Sequence, residues 1–366
     1  MTAPPATRRR PQFRPLRVAK VERLTDDAVA VTFDVPAELR DEFRFRPGQH
    51  LSVRSPVLGD DVRRNYSICA PATSARLRIG IKRIPDGVFS TYAAERLRPG
   101  DVLDVMTPTG TFSTELVPGQ AKRYAAIAAG SGITPVLSIL STALEVEPDS
   151  SAVLVYVNRT TPNIMFLEDL EDLKNRYPER FQLIHVLDQE AQDVELLSGR
   201  LDADRLGRIL DSLVPPDDVD EWFLCGPLPM TDAAREVLLD RGVDAAHVHR
   251  ELFHVGTPSA GSRRAAVAEG EPVTGAQVTV LLDGRSQRFI LPADGESILD
   301  ATLRVRPDAP YACKNAVCGT CRAKVVQGEA RMDANYALEP QETAAGFVLT
   351  CQAHPVTEQL SIDFDQ

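Results

Sequence analysis

Four of the six cysteines in this sequence are placed for thiolate chemistry. Cys313, Cys318 and Cys321 lie within "ACKNAVCGTC", and Cys351 follows in "FVLTCQAHP", thirty positions beyond Cys321. C-x4-C-x2-C with a distant fourth cysteine is the spacing of a plant-type [2Fe–2S] site. Two irons and two sulfides need four thiolates arriving from around them. One tight loop can supply three, and a strand end elsewhere the fourth. The small residues Ala312, Ala316, Gly319 and Thr320 let the loop backbone come close and aim N–H groups at sulfur. Such hydrogen bonds help set a reduction potential. Two other chemistries compete. Zinc sites favour paired C-x2-C elements or Cys–His pairs, and there is one C-x2-C here, with His354 three residues past Cys351 as a candidate fourth ligand. A redox-active C-x2-C would open a helix beside a βαβ unit, and this one does not.

Other stretches carry residues suited to phosphates and nucleotides. "RRNYSIC" (63–69) reads as a strand opening on arginine. A guanidinium fork matches phosphate oxygens in pairs, although a surface arginine beside a buried tyrosine needs no ligand. "AAIAAGSGITP" (125–135) reads as a strand, a glycine-rich turn and a helix start. Gly130 and Gly132 lack the Cβ that would hold a backbone away from a pyrophosphate, and a helix N-terminus favours an anion. Thr134 and Pro135 suit that helix start. G-x-G alone is weak, and an ordinary tight turn is the competing reading. "FLCGPLPM" (223–230) ends a later strand with Cys225, Gly226 and Pro227. A buried core thiol is the plain alternative for Cys225. No H-E-x-x-H or G-x-S-x-G occurs.

These motifs need three kinds of scaffold. Up to residue 118, short runs such as "AVAVTFDVP", "HLSVRS" and "RLRIGIKRI" alternate with turn signals such as "RPGQ", "PDG" and "RPGD". That spacing predicts an antiparallel β-barrel or sandwich over 1–118. From Arg123 the apolar runs "YAAIAAG", "AVLVYVN", "FQLIHVL" and "EWFLCGP" alternate with helical patterns. Strand–helix alternation predicts a doubly wound α/β parallel sheet over 119–253. Residues 254–275 lose apolar periodicity and read as a linker. Residues 276–366 open on a hairpin, "QVTVLLDGRSQRFIL", turned at Asp283-Gly284, and continue with the helix "SILDATLR".

Composition narrows the partners. The 366 residues carry a formal net charge of −11 and 43% hydrophobic content. An acidic chain argues against a nucleic-acid partner. The basic leader, with Arg8, Arg9, Arg10, Arg14, Arg17 and Lys20, reads as a solvated tail. No run is apolar enough for a signal peptide or a membrane span, so a cytoplasmic protein with no membrane partner is expected. A reducing compartment argues against structural disulfides.

Together the motifs resemble the ferredoxin–NADP reductase superfamily, followed by a plant-type ferredoxin of the α+β, β-grasp fold. "RNYSIC", "FRPGQ" (45–49) and "GVFST" (87–91) stand in the order and spacing of that superfamily, and "YACKNAVCGTC" with "FVLTCQAHP" matches the cluster-binding signature. The resemblance implies FAD, for which "TPTG" (107–110) also speaks, a [2Fe–2S] cluster on Cys313, Cys318, Cys321 and Cys351, and NADH or NADPH as donor. It implies that Arg64 neutralises the flavin pyrophosphate, Tyr66 packs on the flavin, and Ser67 hydrogen-bonds near N5. Gly87 and Ser90 would open a helix whose N–H groups meet the pyrophosphate. Ile68, Val88 and Thr91 fall in the same cofactor-binding stretches. Cys225, Gly226 and Pro227 would shape the nicotinamide site, with Glu251 and Phe253 of "RELFHVG" beside the flavin. Ser67, Cys225, Glu251 and Phe253 are then the expected catalytic set.

The donor's identity is contested within the sequence. Asp188, at the end of the third strand of the sheet, would repel the 2′-phosphate of NADPH and favours NADH. Arg159, after the second strand, could bind that phosphate. The implied function is a reductase that takes a hydride pair and releases single electrons to an oxygenase. The chain is similar to oxygenase reductases of phenylacetate degradation, which serve a di-iron oxygenase, and to those of steroid 9α-hydroxylation, which serve a Rieske-type one. A redox-sensing electron carrier is the alternative from another class.

Overall fold

The computed structural model describes residues 12–59, 62–253, 275–292 and 295–366. Most of the expected linker and the arginines at 8–10 lie outside the described residues.

The first domain has six strands: β1 (Phe13–Thr25), β2 (Ala28–Asp34), β3 (His50–Arg54), β4 (Arg63–Ser67), β5 (Leu77–Lys82) and β6 (Val102–Met106). Their order is β4-β3-β6-β1-β2-β5, and a bridge from Ile68 to Ile79 links the ends of that order into a barrel. Period-two alternation drives this packing. Val29, Val31 and Phe33 of β2, Leu51 and Val53 of β3, and Leu77, Ile79 and Ile81 of β5 share one buried core. Helix α1 (Val88–Glu95) adds Phe89 and Ala93 to it.

The second domain is a parallel sheet of β7 (Arg123–Ala129), β8 (Ser151–Asn158), β9 (Phe181–Leu187), β10 (Glu221–Cys225) and β11 (Val248–Glu251), in the order β11-β10-β7-β8-β9. Helices α2 (Ile133–Val146) and α3 (Leu167–Arg176) pack on one face, and α4 (Ala203–Leu213) and α5 (Leu228–Asp240) on the other. The strand order reverses between β7 and β10. The loops leaving those two strands part to opposite faces and open a crevice, where doubly wound sheets bind ligands. Barrel and sheet are one packed body. Ala28, Ala30, Cys69 and Phe112 of the barrel share a core with α2 and α3, and Ser138 Oγ donates to the Ala70 carbonyl at 2.7 Å.

The third domain is a separate unit. It contains β12 (Ala276–Leu282), β13 (Arg285–Leu291), α6 (Ile298–Val305), β14 (Arg322–Gln327), β15 (Ala330–Met332), α7 (Pro340–Ala344), β16 (Phe347–Leu349), β17 (Ala353–Pro355) and β18 (Gln359–Asp363). The main sheet runs β13-β12-β18-β14-β16, with β12 and β18 parallel. The Asp283-Gly284 turn holds both residues at positive φ, 53° and 67°, as a tight hairpin requires. The Ser297 side chain caps α6 by accepting from Asp300 N.

Candidate functional site

The motif residues of the first two domains meet at the crevice. Ser67 ends β4 and is 2% exposed. Its Oγ donates to Glu251 Oε2 at 3.0 Å, across 184 positions of sequence. Glu251 ends β11 and stands in register with Cys225 at the end of β10. Cys225 is fully buried. Burial, and then the Glu251 charge, push its thiol well above the ordinary range, so it stays neutral. Three motifs that are far apart in sequence therefore converge on one point. Phe253 follows at 40% exposure.

The glycines are explained by contact. A Cβ on Gly132 would stand 2.1 Å from the Cys225 carbonyl oxygen, so β7's loop can lie against β10's end only without a side chain. Gly130 sits at φ +53°, and a Cβ there would meet only Lys82 Nζ, at 3.8 Å. Tyr156 Oη donates to the Gly130 carbonyl at 2.9 Å and holds the loop from β8. The open backbone at Gly130, with a cation beside it, fits a dinucleotide phosphate. Gly226 and Pro227 follow Cys225 at the head of α5.

On the barrel, Arg64 is exposed. Its guanidinium donates to the neighbouring Arg63 carbonyl at 2.7 Å and has no carboxylate partner among the described residues, which suits an incoming phosphate. Tyr66 packs on Phe89 of α1 with ring centroids 5.7 Å apart, and burial pushes its phenol up. Gly87 caps α1, where Val88 is exposed and Thr91 half-buried.

Four of the expected residues have buried side chains. Ile68 is fully buried in the barrel core, and its N–H already donates to the Gln49 carbonyl. Ser90 turns inward, its Oγ donating to the Gly87 carbonyl at 3.2 Å. Thr134 is 1% exposed and donates to the Ser131 carbonyl at 3.0 Å. Pro135 is buried beside it. These side chains shape the loops from behind, because the inward phase of their elements is already fixed by core packing. Arg159 is turned towards the barrel, its NH2 3.4 Å from Asp27 Oδ2. Lys82 Nζ is 3.7 Å from the same oxygen. Asp188 is exposed after β9.

In the third domain the four thiols stand as two pairs. Cys313 titrates together with Cys318, and Cys321 with Cys351. In each pair one sulfur is held below the usual thiol range by its partner's S–H, Cys318 in the first and Cys351 in the second. Cys313 and Cys321 are pushed up correspondingly. The loop between α6 and β14 takes positive φ at Lys314 (54°), Ala316 (62°) and Gly319 (65°). Left-handed residues in succession turn N–H groups inward to make an anion-binding nest. Asn315 N donates to Cys313 Sγ at 3.3 Å. Among the described residues no three His, Cys, Asp or Glu side chains converge as a single ion requires. Four free thiols, three on one loop and one beside a strand end, are the donor set a 2Fe–2S cluster takes. His354 Nε2 faces Asp333 Oδ2 at 3.1 Å.

Comparison with known proteins agrees with this geometry. Residues 15–114 match the oxidoreductase FAD-binding domain, 126–236 the oxidoreductase NAD-binding domain, and 280–356 the 2Fe-2S iron-sulfur cluster binding domain. The chain is 46% identical over 353 residues to a component of the 1,2-phenylacetyl-CoA epoxidase of Escherichia coli K12, covering 96% of this chain and 98% of that one. It is 35% identical over 353 residues to the ferredoxin reductase component of 3-ketosteroid-9-alpha-monooxygenase from Rhodococcus rhodochrous, covering 95% and 96%. The fold is similar to that of phthalate dioxygenase reductase, with a TM-score of 0.56 at 22% identity, covering 96% of this chain and 98% of that one. Among the described residues no helix is long and apolar enough to cross a membrane.

Proposed function

The chain belongs to the family of oxygenase reductases that join FAD-binding, NAD-binding and 2Fe–2S domains in one polypeptide, and we propose that its acceptor is a di-iron oxygenase of the phenylacetyl-CoA epoxidase kind. The 46% identity to the epoxidase component, over nearly the whole of both chains, supports that acceptor. A steroid-type oxygenase is the second reading, supported by the 35% identity to the Rhodococcus component. A cytoplasmic setting accords with six free cysteines.

We assign the parts as follows. Arg64 and the N–H groups at Val88–Ser90 hold the flavin pyrophosphate. Tyr66 covers the flavin, and Ser67, oriented by Glu251, stands near the position that accepts hydride. Gly130 and Gly132 receive the dinucleotide, and Cys225, Gly226 and Pro227 shape the space for its nicotinamide. Phe253 lines the same crevice. The two cofactors supply two-electron uptake and one-electron release, and the chain orients them and keeps water out. The four cysteines would hold the cluster. NADH is the favoured donor, because Asp188 is exposed where a 2′-phosphate would come and Arg159 is paired with Asp27.

The observation that carries the redox reading is the Ser67–Glu251 contact beside Cys225. The test is reconstitution: the purified protein, NADH and either a phenylacetyl-CoA epoxidase or a steroid 9α-oxygenase, scored by product. Turnover with the steroid enzyme and none with the epoxidase would overturn the assigned acceptor. Cys318→Ser is expected to abolish cytochrome c reduction while NADH still bleaches the flavin. Unimpaired delivery by that variant would sink the relay.

A further inference from the structure

We propose that Gly80, Arg78 and Phe166 form a positioning clasp that sets where the glycine-rich dinucleotide loop stands over the flavin barrel. The inference rests on the reading that a donor at Gly130–Gly132 passes hydride, two electrons with one proton, from the nicotinamide ring to a flavin beside Ser67.

Gly80 lies in the middle of β5, where a glycine weakens a strand and so needs a reason. The reason is close approach. A Cβ on Gly80 would stand 2.7 Å from Thr134 Cγ2 and 2.9 Å from two ring carbons of Phe166. Both neighbours belong to the other domain. Thr134 is in the first turn of α2, directly behind the loop, and its hydroxyl is bonded to Ser131 within that loop. Phe166 immediately precedes α3, is 1% exposed and takes φ 58°. A bulky residue holds a left-handed conformation only where its surroundings enforce it, and such strain gathers where function needs a fixed geometry.

Arg78 completes the arrangement from two residues along the same strand. Its guanidinium lies 5.0 Å over the Phe166 ring, bonds Asp169 Oδ1 in the first turn of α3 at 2.6 Å and stands 3.7 Å from Glu22 Oε2 on β1. Its side chain is only 8% exposed. Gly80 is in register with Ala30 on β2, and Ala28 and Ala30 belong to the core shared with the sheet domain. A patch of small side chains thus opens the barrel wall to two helix starts, and one stacked, ion-paired arginine fixes the angle at which they enter.

A methyl group at Gly80 must therefore push Thr134 and Phe166, and with them the loop that carries the donor. Transfer requires the reacting atoms about 3–3.5 Å apart, and a misplacement of about 1 Å can cost about a hundredfold in rate. None of the three clasp residues is assigned to hold a cofactor, so binding should survive where transfer suffers.

The experiment mixes the FAD- and cluster-loaded full chain anaerobically with NADH and follows flavin bleaching, alongside flavin content and melting temperature. For Gly80→Ala we expect the limiting rate to fall about tenfold or more, with flavin content held and the half-saturating NADH concentration within about threefold of wild type. A wild-type limiting rate overturns the clasp. So does a rate loss that tracks flavin loss or melting temperature, which would assign the three residues to packing alone. If Gly80→Ala fails to fold, Arg78→Lys decides: lysine keeps the charge towards Asp169 but lacks the planar fork that stacks. The same split is expected of it, and an unaltered rate overturns the proposal. Wild-type protein that is not bleached by NADH or NADPH would overturn the hydride reading instead.

Discussion

Ser67 and Glu251 show how much a single contact can organise. Their hydrogen bond ties the last residue of a barrel strand to the last residue of a parallel strand. Glu251→Gln keeps an acceptor for Ser67 and removes the charge facing Cys225, whereas Glu251→Ala removes both. Rapid-mixing measurements should show flavin reduction slowed about a hundredfold by the second, the low end for a positioned acid or base, and less by the first. His50 carries a different prediction. It is 4% exposed, with Nε2 3.2 Å from Thr109 Oγ1, and burial lowers its pKa from 6.5 to about 4. Between those values the unfolded chain binds the extra proton and the folded chain does not. Stability is thus fully present above about pH 6.5 and is lost as pH falls towards 4, by up to about 3 kcal/mol. His50→Gln should flatten that limb of a denaturation-against-pH curve. The convergence of Ser67, Cys225 and Glu251 was legible in sequence because the three sit in recognisable motifs. His50 and Gly80 were not, since what burdens a buried imidazole or forbids a Cβ comes from residues far away in the chain.

At the scale of elements, periodicity revealed most of the order. Strands alternating by two and strands separated by helical runs predict the barrel and the doubly wound sheet, and both are present. Motif letters did not reveal the phase of each side chain. Ile68, Ser90 and Thr134 lie in stretches expected to bind cofactors, and their side chains point into the protein, because the strand or helix that bears them is already committed to a core. The approach of β7's loop to β10's end is similarly invisible in sequence. Gly132→Ala would force the new methyl against the Cys225 carbonyl, only 2.1 Å from where that methyl must sit. Overpacking of this kind costs about 1–3 kcal/mol. The melting temperature of the barrel–sheet body should drop, and NADH should saturate flavin reduction only at higher concentration.

For the whole molecule, the division into two units predicts two calorimetric transitions rather than one. Cys318→Ser should lower the transition of the ferredoxin unit and leave that of the barrel–sheet unit in place; a common shift would show the two melting together. Between barrel and sheet the situation is reversed. Gly80 is shaped to Thr134 and Phe166, Arg78 to Asp169, and Ser67 to Glu251. Such matched surfaces restrict how this architecture can be recombined. A grafted barrel that brought a side chain to the Gly80 position, or lacked the arginine beside it, would fold with its two halves misaligned. The transplantable cassette for building new electron chains is therefore barrel and sheet together, cut after β11, with ferredoxins exchanged behind it.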